Sequence, residues 1–420
     1  MIRRSSGGLR AAPLILSCCL LALAVGDSQL GAADATTIDD SWNAVFDRHD
    51  GWTGADCAGT VNLHDGRMLW LFGDTWIGSI RGGRRLPGAT MVNNSIAVHP
   101  IDPTAPWKVP DPASVRFAWG ATNAAGQPTA WAVPDQKKSR EPAASNLREW
   151  LWANGGGLVV EGPQGTRRLF AFFFRVRTNP QGKGVWTFTV VGTTLAIVDK
   201  VSESVDRWKL RLVDVPHYVQ SKVSGGNPAD AEMTWGMAAC LDPETARAKS
   251  PSALIYGIRR SGFLNDGLVL ARAPAATIDQ FQTWRFFAGK DSWSTEARAA
   301  RPIADGLVSE FSVDRMEIAG RPMWILVQSE PFLGKRIFIR TASKPEGPWS
   351  ARKTIGTVSD VERNKSYFTY AAKGHSDISR PGELLITYLV NSQEFGDLGR
   401  DTSIYRPKFL RLQLSRVLTR

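Results

Sequence analysis

Five times along this chain, a short run of apolar, β-branched and aromatic residues follows a polar turn. The runs are "LWLFGDTW" (residues 69–76), "RLFAFFFRV" from Arg168, "ALIYGIRR" from Ala253, "MWILVQSE" from Met323 and "LLITYLVNS" from Leu384. The turns before them read "HDG", "GPQG", "KSPS", "IAGRP" and "SRPGE". This is strand chemistry with hairpin punctuation on the entering side. A second strand follows each run: "SIAVHPI", "TTLAIVDK", "GLVLARAP", "RIFIRTAS" and "FLRLQLS". A strand of mixed character precedes each: "DCAGTVNL", "WANGGGLVV", "TWGMAACL", "EFSVDRMEI" and "TYAAKGHSD". In four of the five units a tryptophan comes next (Trp107, Trp208, Trp284, Trp349), placed in a fourth strand. The fifth unit reaches the end of the chain without one.

A unit of four antiparallel strands repeated five times predicts an all-β chain folded as a five-bladed β-propeller. The competing architecture is a β-sandwich of repeated hairpins. The constant order within each unit and the recurring Trp favour the propeller, with those Trp residues packing between blades rather than meeting a ligand. The longest insertion, residues 107–142, is rich in Pro, Ala and Trp and reads as a loop or lid over one face. Residues 34–420 then form one domain.

Residues 1–33 stand apart. Arg3, Arg4 and Arg10 precede the apolar stretch "APLILSCCLLALAVG", and small residues follow at Ala24, Gly26, Gly31 and Ala33. The pattern is that of a secretory signal peptide, so the protein is expected to be secreted or periplasmic. A lipid anchor on Cys18 or Cys19 is the lesser alternative, since the apolar run continues past both. No later apolar run is long enough to span a bilayer as a helix. The net charge of +11 falls to +9 once three Arg and Asp27 leave with the leader. That basic surface suits anionic envelope material, but no basic block or nucleic-acid motif accompanies it. Cys57 and Cys240 remain, to be read either as a disulfide in an oxidising compartment or as two small buried hydrophobes.

Two acids interrupt this strand chemistry. Asp74 ends the run "LWLFGD", and Asp56 lies 18 residues earlier among the small residues of "TGADCAG". If the inner strand of the first blade runs from Asp56 to about Leu63 and the next from about Met68 to Asp74, antiparallel pairing brings both carboxylates to one rim. Two acids at the mouth of a central pocket suit glycosidic bond cleavage, where one must be protonated and the other ionised. The competing reading is an ordinary turn Asp and a strand cap. Glu310 opens the inner strand of the fourth blade, in the place corresponding to Asp56. Lys373 and His375 share one side of the fifth inner strand by alternation, although a lone His more often satisfies a buried hydrogen bond. Trp152 and Trp235 open the second and third blades as candidate walls for sugar stacking. Histidines 49, 64, 99, 217 and 375 are scattered, with no HExxH or cysteine cluster, so no catalytic transition metal is expected. No GxSxG elbow or P-loop occurs, and "GGG" at 155–157 does not meet a dinucleotide fingerprint.

Four stretches carry a resemblance to a known family: "GADCAGTVNLHDGRMLWLFGDTWIG", "ARAPAATIDQFQTWRFFAG", "SKPEGPWS" and "YAAKGHSDISRPGELLITYLVNS…IYRPKFLRL". Over about Trp42 to Leu412 the chain resembles the domain-of-unknown-function 4185 family of secreted bacterial proteins. Those proteins are related to the five-bladed glycoside hydrolases, and some form glycoside hydrolase family 183, the endo-D-arabinanases. The resemblance implies that the paired acids are Asp56 and Asp74. The more distant five-bladed hydrolases of families 43 and 32 add acids from later blades, which makes Glu310 a third member. Asn391 and Arg406, near the C-terminal pattern, become sugar contacts, unless Arg406 merely ties down the last blade.

The sequence therefore predicts a secreted, monomeric glycoside hydrolase of the endo-arabinanase type acting on a polysaccharide or oligosaccharide, with no nucleic-acid partner. No cofactor is required; a structural calcium in the central channel is left open and nothing in the sequence indicates it. The alternative is a non-catalytic glycan-binding propeller, which would keep Trp152, Trp235 and His375 in the pocket and tolerate loss of either Asp.

Overall fold

The structure, a computed structural model, describes residues 35–135, 147–162, 165–181, 187–219, 233–260, 266–331 and 333–418. The expected leader, residues 1–33, lies outside these, as does the stretch 136–142 of the long insertion. Five antiparallel sheets follow one another along the chain, each built from consecutive strands running outward from an inner one. The first blade comprises Gly59–Asn62, Arg67–Phe72, Ser95–Pro100 and Arg116–Ala118; the second comprises Glu149–Glu161, Arg167–Thr178, Phe188–Val198 and Leu210–Val215. The third blade contains Met233–Leu241, Ser252–Arg260, Asp266–Pro274 and Arg285–Gly289, widened by Ser292–Ser294 and Ala304–Leu307. The fourth contains Phe311–Ile318, Arg321–Ser329, Arg336–Ala342 and Lys353–Thr357.

The fifth blade is completed from the other end of the chain. Tyr367–Gly374, Glu383–Ser392 and Lys408–Gln413 are its first three strands, and Thr36–Ile38 is the fourth, with Thr36 opposite Leu412 and Ile38 opposite Leu410. The unit that lacked a Trp strand in the sequence thus takes its fourth strand, without a Trp, from the N-terminal side.

Five hydrophobic clusters fill the junctions between successive sheets. Leu69, Leu71 and Ile96 of the first blade meet Phe173 and Ala196 of the second. Phe172 and Leu195 of the second meet Trp235, Ile255 and Trp284 at the third. Trp70 and Phe72 of the first meet Leu385 and Phe409 of the fifth, with the remaining two clusters at the other junctions. A sandwich would concentrate its core between two sheets; here each sheet packs on two neighbours. The inner strands approach so closely that glycine is required. A Cβ on Gly59 would fall 2.5 Å from the backbone of Gly155, and one on Gly156 would fall 2.0 Å from the carbonyl of Gly236. The "GGG" run is therefore the place where the first three blades meet.

Two details differ from the sequence reading. Trp208, Trp284 and Trp349 sit in the turns entering their fourth strands rather than within them, and Trp107 lies in a loop nine residues before Arg116–Ala118. Turn placement lets the indole of Trp284 reach inward, where it is fully buried and donates to the carbonyl of Ile278 at 2.9 Å. The insertion at 107–142 also contributes more than a loop, since Arg116–Ala118 inside it forms the outer strand of the first blade.

Candidate active site

Asp56 and Asp74 lie in turns, not at strand ends. A small accessory sheet of Asp50–Ala55, Thr75–Arg81, Arg84–Arg85 and Thr90–Val92 adjoins the first blade, and the chain crosses between the two sheets twice. Asp56 stands on the crossing into Gly59–Asn62, and Asp74 on the crossing out of Arg67–Phe72. The crossings are bonded side by side: the amide of Asp56 donates to the carbonyl of Asp74 at 3.2 Å, and that of Gly73 to the carbonyl of Asp56 at 3.1 Å. A Cβ on Gly73 would fall 2.2 Å from Oδ1 of Asp56, so the glycine of "FGD" leaves room for the other acid. Strand pairing begins three residues later than the sequence suggested because Cys57 and Ala58 take left-handed backbone angles (φ 70° and 53°).

Such angles are costly for residues with a side chain, roughly 1–2 kcal/mol each, and they recur around this rim. Ala371 (φ 53°) follows Tyr370, and Tyr405 itself has φ 58°. Ala371 also opens a bulge where the pairing of the fifth blade's inner strand skips from Tyr370 to Lys373. A bulge re-aims the side chains on either side of it, and here it sends Tyr370 to the rim and Lys373 into the axis.

The hydroxyls of Tyr370 and Tyr405 both donate to Oδ2 of Asp56, at 2.9 and 3.0 Å. Asp74 Oδ1 accepts from the indole of Trp152 at 2.6 Å and from Nδ2 of Asn93 at 3.0 Å. Arg148 in turn donates to Oδ1 of Asn93 at 2.7 Å. Asn391 reaches the hydroxyl of Tyr370 at 3.4 Å. Trp152 packs edge-on against Phe188 and Trp150. Glu310 precedes the inner strand of the fourth blade and has no hydrogen-bond partner among the described residues.

These surroundings separate the three acids. Burial pushes Asp56 well above the usual carboxylate range, the charges of Asp74 and Glu310 push further, and the two phenols oppose them. Burial raises Asp74 to about 6, against Asn93, Trp152 and the more distant Arg148. Burial raises Glu310 as well, and the charge of Lys373 pulls it back. Tyr370 and Tyr405 are driven up by burial and by Asp56, so they remain protonated donors. Near neutral pH such a set holds a proton on one acid while another is ionised, the condition for acid–base work.

An axial cavity of about 340 Å³ passes between the inner strands, lined among others by Gly59, Gly155, Met237, Phe311 and Lys373; Asp56, Asp74 and Glu310 are not among the residues that line it. Lys373 is 2% exposed and its ammonium has no hydrogen-bond partner among the described residues. Cys57 and Cys240 are both unpaired, ruling out the disulfide reading in this structure, and burial pushes the Cys57 thiol up to about 12. Among the described residues no group of three or more His, Cys, Asp or Glu is placed to hold a metal ion.

Of the residues singled out in the sequence, Asp56, Asp74, Trp152 and Asn391 come together directly, Glu310 acts on Asp56 electrostatically, and Lys373 acts on Glu310. Three others do not join them. Trp235 is fully buried between the second and third blades, its indole donating to the carbonyl of His217 at 3.1 Å. The inner strand bulges after Trp235, with pairing resuming at Ala238, so simple alternation misplaces its ring. His375 lies in the core against Trp70, with its nitrogens 2.9 Å from Thr60 Oγ1 and 2.8 Å from Thr387 Oγ1. Burial lowers it to about 3, leaving a neutral structural ring that joins the fifth blade to the first. Arg406 turns away to pair with Asp47 in an outer pocket. Its neighbour Tyr405 faces Asp56 instead. Tyr370, Tyr405 and Asn93 were missed in the sequence, where a Tyr in a strand reads as core; "IYRP" was the one available signal.

With this geometry the chain is an all-β, multi-bladed protein with a cluster of acids beside the entry to its first inner strand and an axial cavity between its inner strands. It belongs to the family of the domain of unknown function DUF5005, whose model matches residues 39–414. That is a different family from the one the quoted motifs resemble. Those motifs are mostly strand and turn signatures that a bladed fold repeats, so they define architecture more tightly than family. No curated protein matches the chain. Among solved structures, a Bacteroides ovatus protein provisionally described as a hydrolase is 19% identical with a TM-score of 0.64, the alignment covering 90% of this chain and 89% of that one. It has the same fold. An exo-beta-1,3-galactanase from Phanerochaete chrysosporium aligns at 9% identity and a TM-score of 0.43, covering 90% and 64% of the two chains. An alpha-L-arabinofuranosidase from Podospora anserina aligns at 9% and 0.41, covering 86% and 91%. Likenesses as loose as these two carry no weight for the chemistry.

Proposed function

We propose that the chain is an exported five-bladed β-propeller that hydrolyses glycosidic bonds in a polysaccharide, with Asp56, Asp74 and Glu310 as its acids. The observation that carries this reading is the pair Asp56 and Asp74, bonded backbone to backbone yet held in unlike surroundings, Asp56 by two phenols and Asp74 by the indole of Trp152, with the charge of Glu310 acting on Asp56. The ring of blades is supported by inner-strand contacts running from Gly59 and Gly155 through Gly156 and Gly236 to the His375–Thr60 bond. The hydrolase description of the Bacteroides ovatus protein agrees with it.

In the proposed reaction Asp74, raised to about 6, donates its proton to the departing glycosidic oxygen. Glu310, with no hydrogen-bond partner among the described residues, acts on the anomeric carbon directly or through water. Asp56, fixed by two phenols and pushed up by burial, keeps its proton near neutral pH and is placed to hydrogen-bond the sugar beside the reacting bond. No cofactor enters this scheme. Arabinans are the first substrates to try, on the strength of the family resemblance read in the sequence.

The experiment is release of oligosaccharides from a panel of arabinans and other envelope polysaccharides by residues 34–420. Cleavage of at least one glycan, lost in folded Asp56→Asn and Asp74→Asn proteins, is the expected result. If no glycan is cut and one binds wild type and both variants equally, the protein is the non-catalytic glycan-binding propeller.

A further inference from the structure

The axial cavity has the features of a binding site of its own, apart from the acids of the first blade. Its volume of about 340 Å³ falls at the low end of the roughly 300–1,000 Å³ of small-molecule pockets. His64 and Asp377 line it and are exposed, so they mark its mouth. They follow the first and fifth inner strands, whereas Asp56 precedes the first, so the mouth lies at the strand ends away from that acid. Further in, the walls are the glycine backbone of residues 155–157 and buried apolar side chains such as Val61 and Met237.

One buried charge enters this space. Lys373 crosses from the fifth blade's inner strand toward the second blade, where a Cβ on Gly155 would fall 2.6 Å from its Cε and 3.1 Å from its Nζ. Gly155 adopts φ 96°, which suits glycine, and its missing side chain leaves room for the lysine. The ammonium has neither a hydrogen bond nor an ion pair among the described residues. An ammonium carries three donors, and burial is unfavourable unless acceptors and one negative charge meet it.

Asp314 makes the opposite demand. It lines the same cavity from the fourth blade, nearer the mouth, where its Oδ1 accepts from the amide and the hydroxyl of Ser376 at 3.2 and 2.8 Å. Its Oδ2 is buried without a hydrogen-bond partner among the described residues, 3.0 Å from where a Cβ on Gly374 would lie. Lys373 and Asp314 thus face one cavity without pairing with each other. A ligand that satisfies both carries an anionic acceptor at one end and a donor at the other.

We infer that the axial cavity binds a small hydroxy acid, a monocarboxylate of the aldonic or uronic acid class. Its carboxylate meets the ammonium of Lys373, and one of its hydroxyls donates to Oδ2 of Asp314. A single ammonium matches one negative charge, which favours a carboxylate over a phosphate dianion. The acids Asp314 and Asp377, with Arg315 beside them, stand toward the mouth and the lysine stands inside. The ligand therefore enters carboxylate first and leaves its hydroxyls outward. None of Asp56, Asp74 and Glu310 lines this site, so it does not depend on the glycoside hydrolase reading.

The test is calorimetric titration of the whole protein with D-gluconate and D-glucuronate, an open-chain and a ring member of the class. At least one is expected to bind with a Kd of about 1 mM or below, with D-glucose and chloride at least about tenfold weaker. Lys373→Met should weaken binding at least about tenfold and Asp314→Ala by roughly two- to tenfold, while Asp74→Asn leaves it unchanged. Lys373→Gln serves if the Met variant does not fold. Absence of saturable binding of either acid overturns the proposal, as does equal affinity for D-glucose or undiminished binding in folded Lys373 or Asp314 variants. Binding lost in Asp74→Asn would move the ligand to the acids of the first blade and would equally overturn the axial site.

Discussion

At the scale of single residues, Asp74 sets function against stability. Its carboxyl titrates at about 6 in the folded chain against 3.8 for an ordinary Asp. The folded state therefore binds the proton more tightly than the unfolded one. Folding pays no penalty below pH about 4, loses stability as the pH rises through the interval, and carries the full penalty above about 6. Asp74→Asn removes that penalty and can still accept from both Trp152 and Asn93 through its amide oxygen. We expect this variant to be inactive yet more stable than wild type by about 1–3 kcal/mol at pH 8, discounted for partial solvent screening. At pH 4 the difference vanishes. Thermal melts at the two pH values check this, and a variant less stable than wild type at pH 8 would contradict it. Asp74 and Asp56 were legible in the sequence because lone acids broke an apolar pattern. Tyr370 and Tyr405 were not, because their role depends on two left-handed backbone residues that leave no compositional trace.

At the scale of elements, the inner strands are held in place by the absence of side chains. Gly156 meets the carbonyl of Gly236 across the second and third blades, and neither backbone can yield without shifting its sheet. Gly156→Ala should destabilise the protein by about 3 kcal/mol or more. Gly399→Ala, in a position with no atom within 4 Å, serves as the neutral control. Equal melting temperatures for the two variants would show that the blades are not in the contact described. Strand order was readable because each blade repeats one hydrophobic pattern. Bulges were not readable, since an extra residue inside a strand leaves its composition unchanged. The break after Trp235 is what turned a candidate pocket wall into core, and beyond the bulge at Ala371 Lys373 lines the axial cavity while His375 packs against Trp70.

At the scale of the whole molecule, the fold depends on joining its two ends. Thr36–Ile38 completes the fifth blade beside Leu410–Leu412, and Asp39 continues the join by donating its amide to the carbonyl of Phe409 at 3.0 Å and pairing its carboxylate with Arg411. A protein beginning at Asp39 should melt ~5 °C or more below one beginning at residue 34 and should aggregate more readily through the uncovered strand. Unchanged melting would mean that this strand is dispensable. The join could not be read from repeats, because its short segment "TTI" lies almost the full length of the chain from its partner. Repeat counting gave the five units, and only the paired register shows how the last is finished.

Whether these acids cleave a glycosidic bond is decided by measuring affinity and turnover together. The same glycan would be offered to wild type, Asp56→Asn, Asp74→Asn and Glu310→Gln, with binding followed by calorimetry and cleavage by product release. All four are expected to bind it within about tenfold of one another, while turnover falls by at least about a hundredfold in each variant. Turnover at the wild-type rate in any folded variant would remove that acid from the reaction, and wild-type turnover in all three would contradict the account.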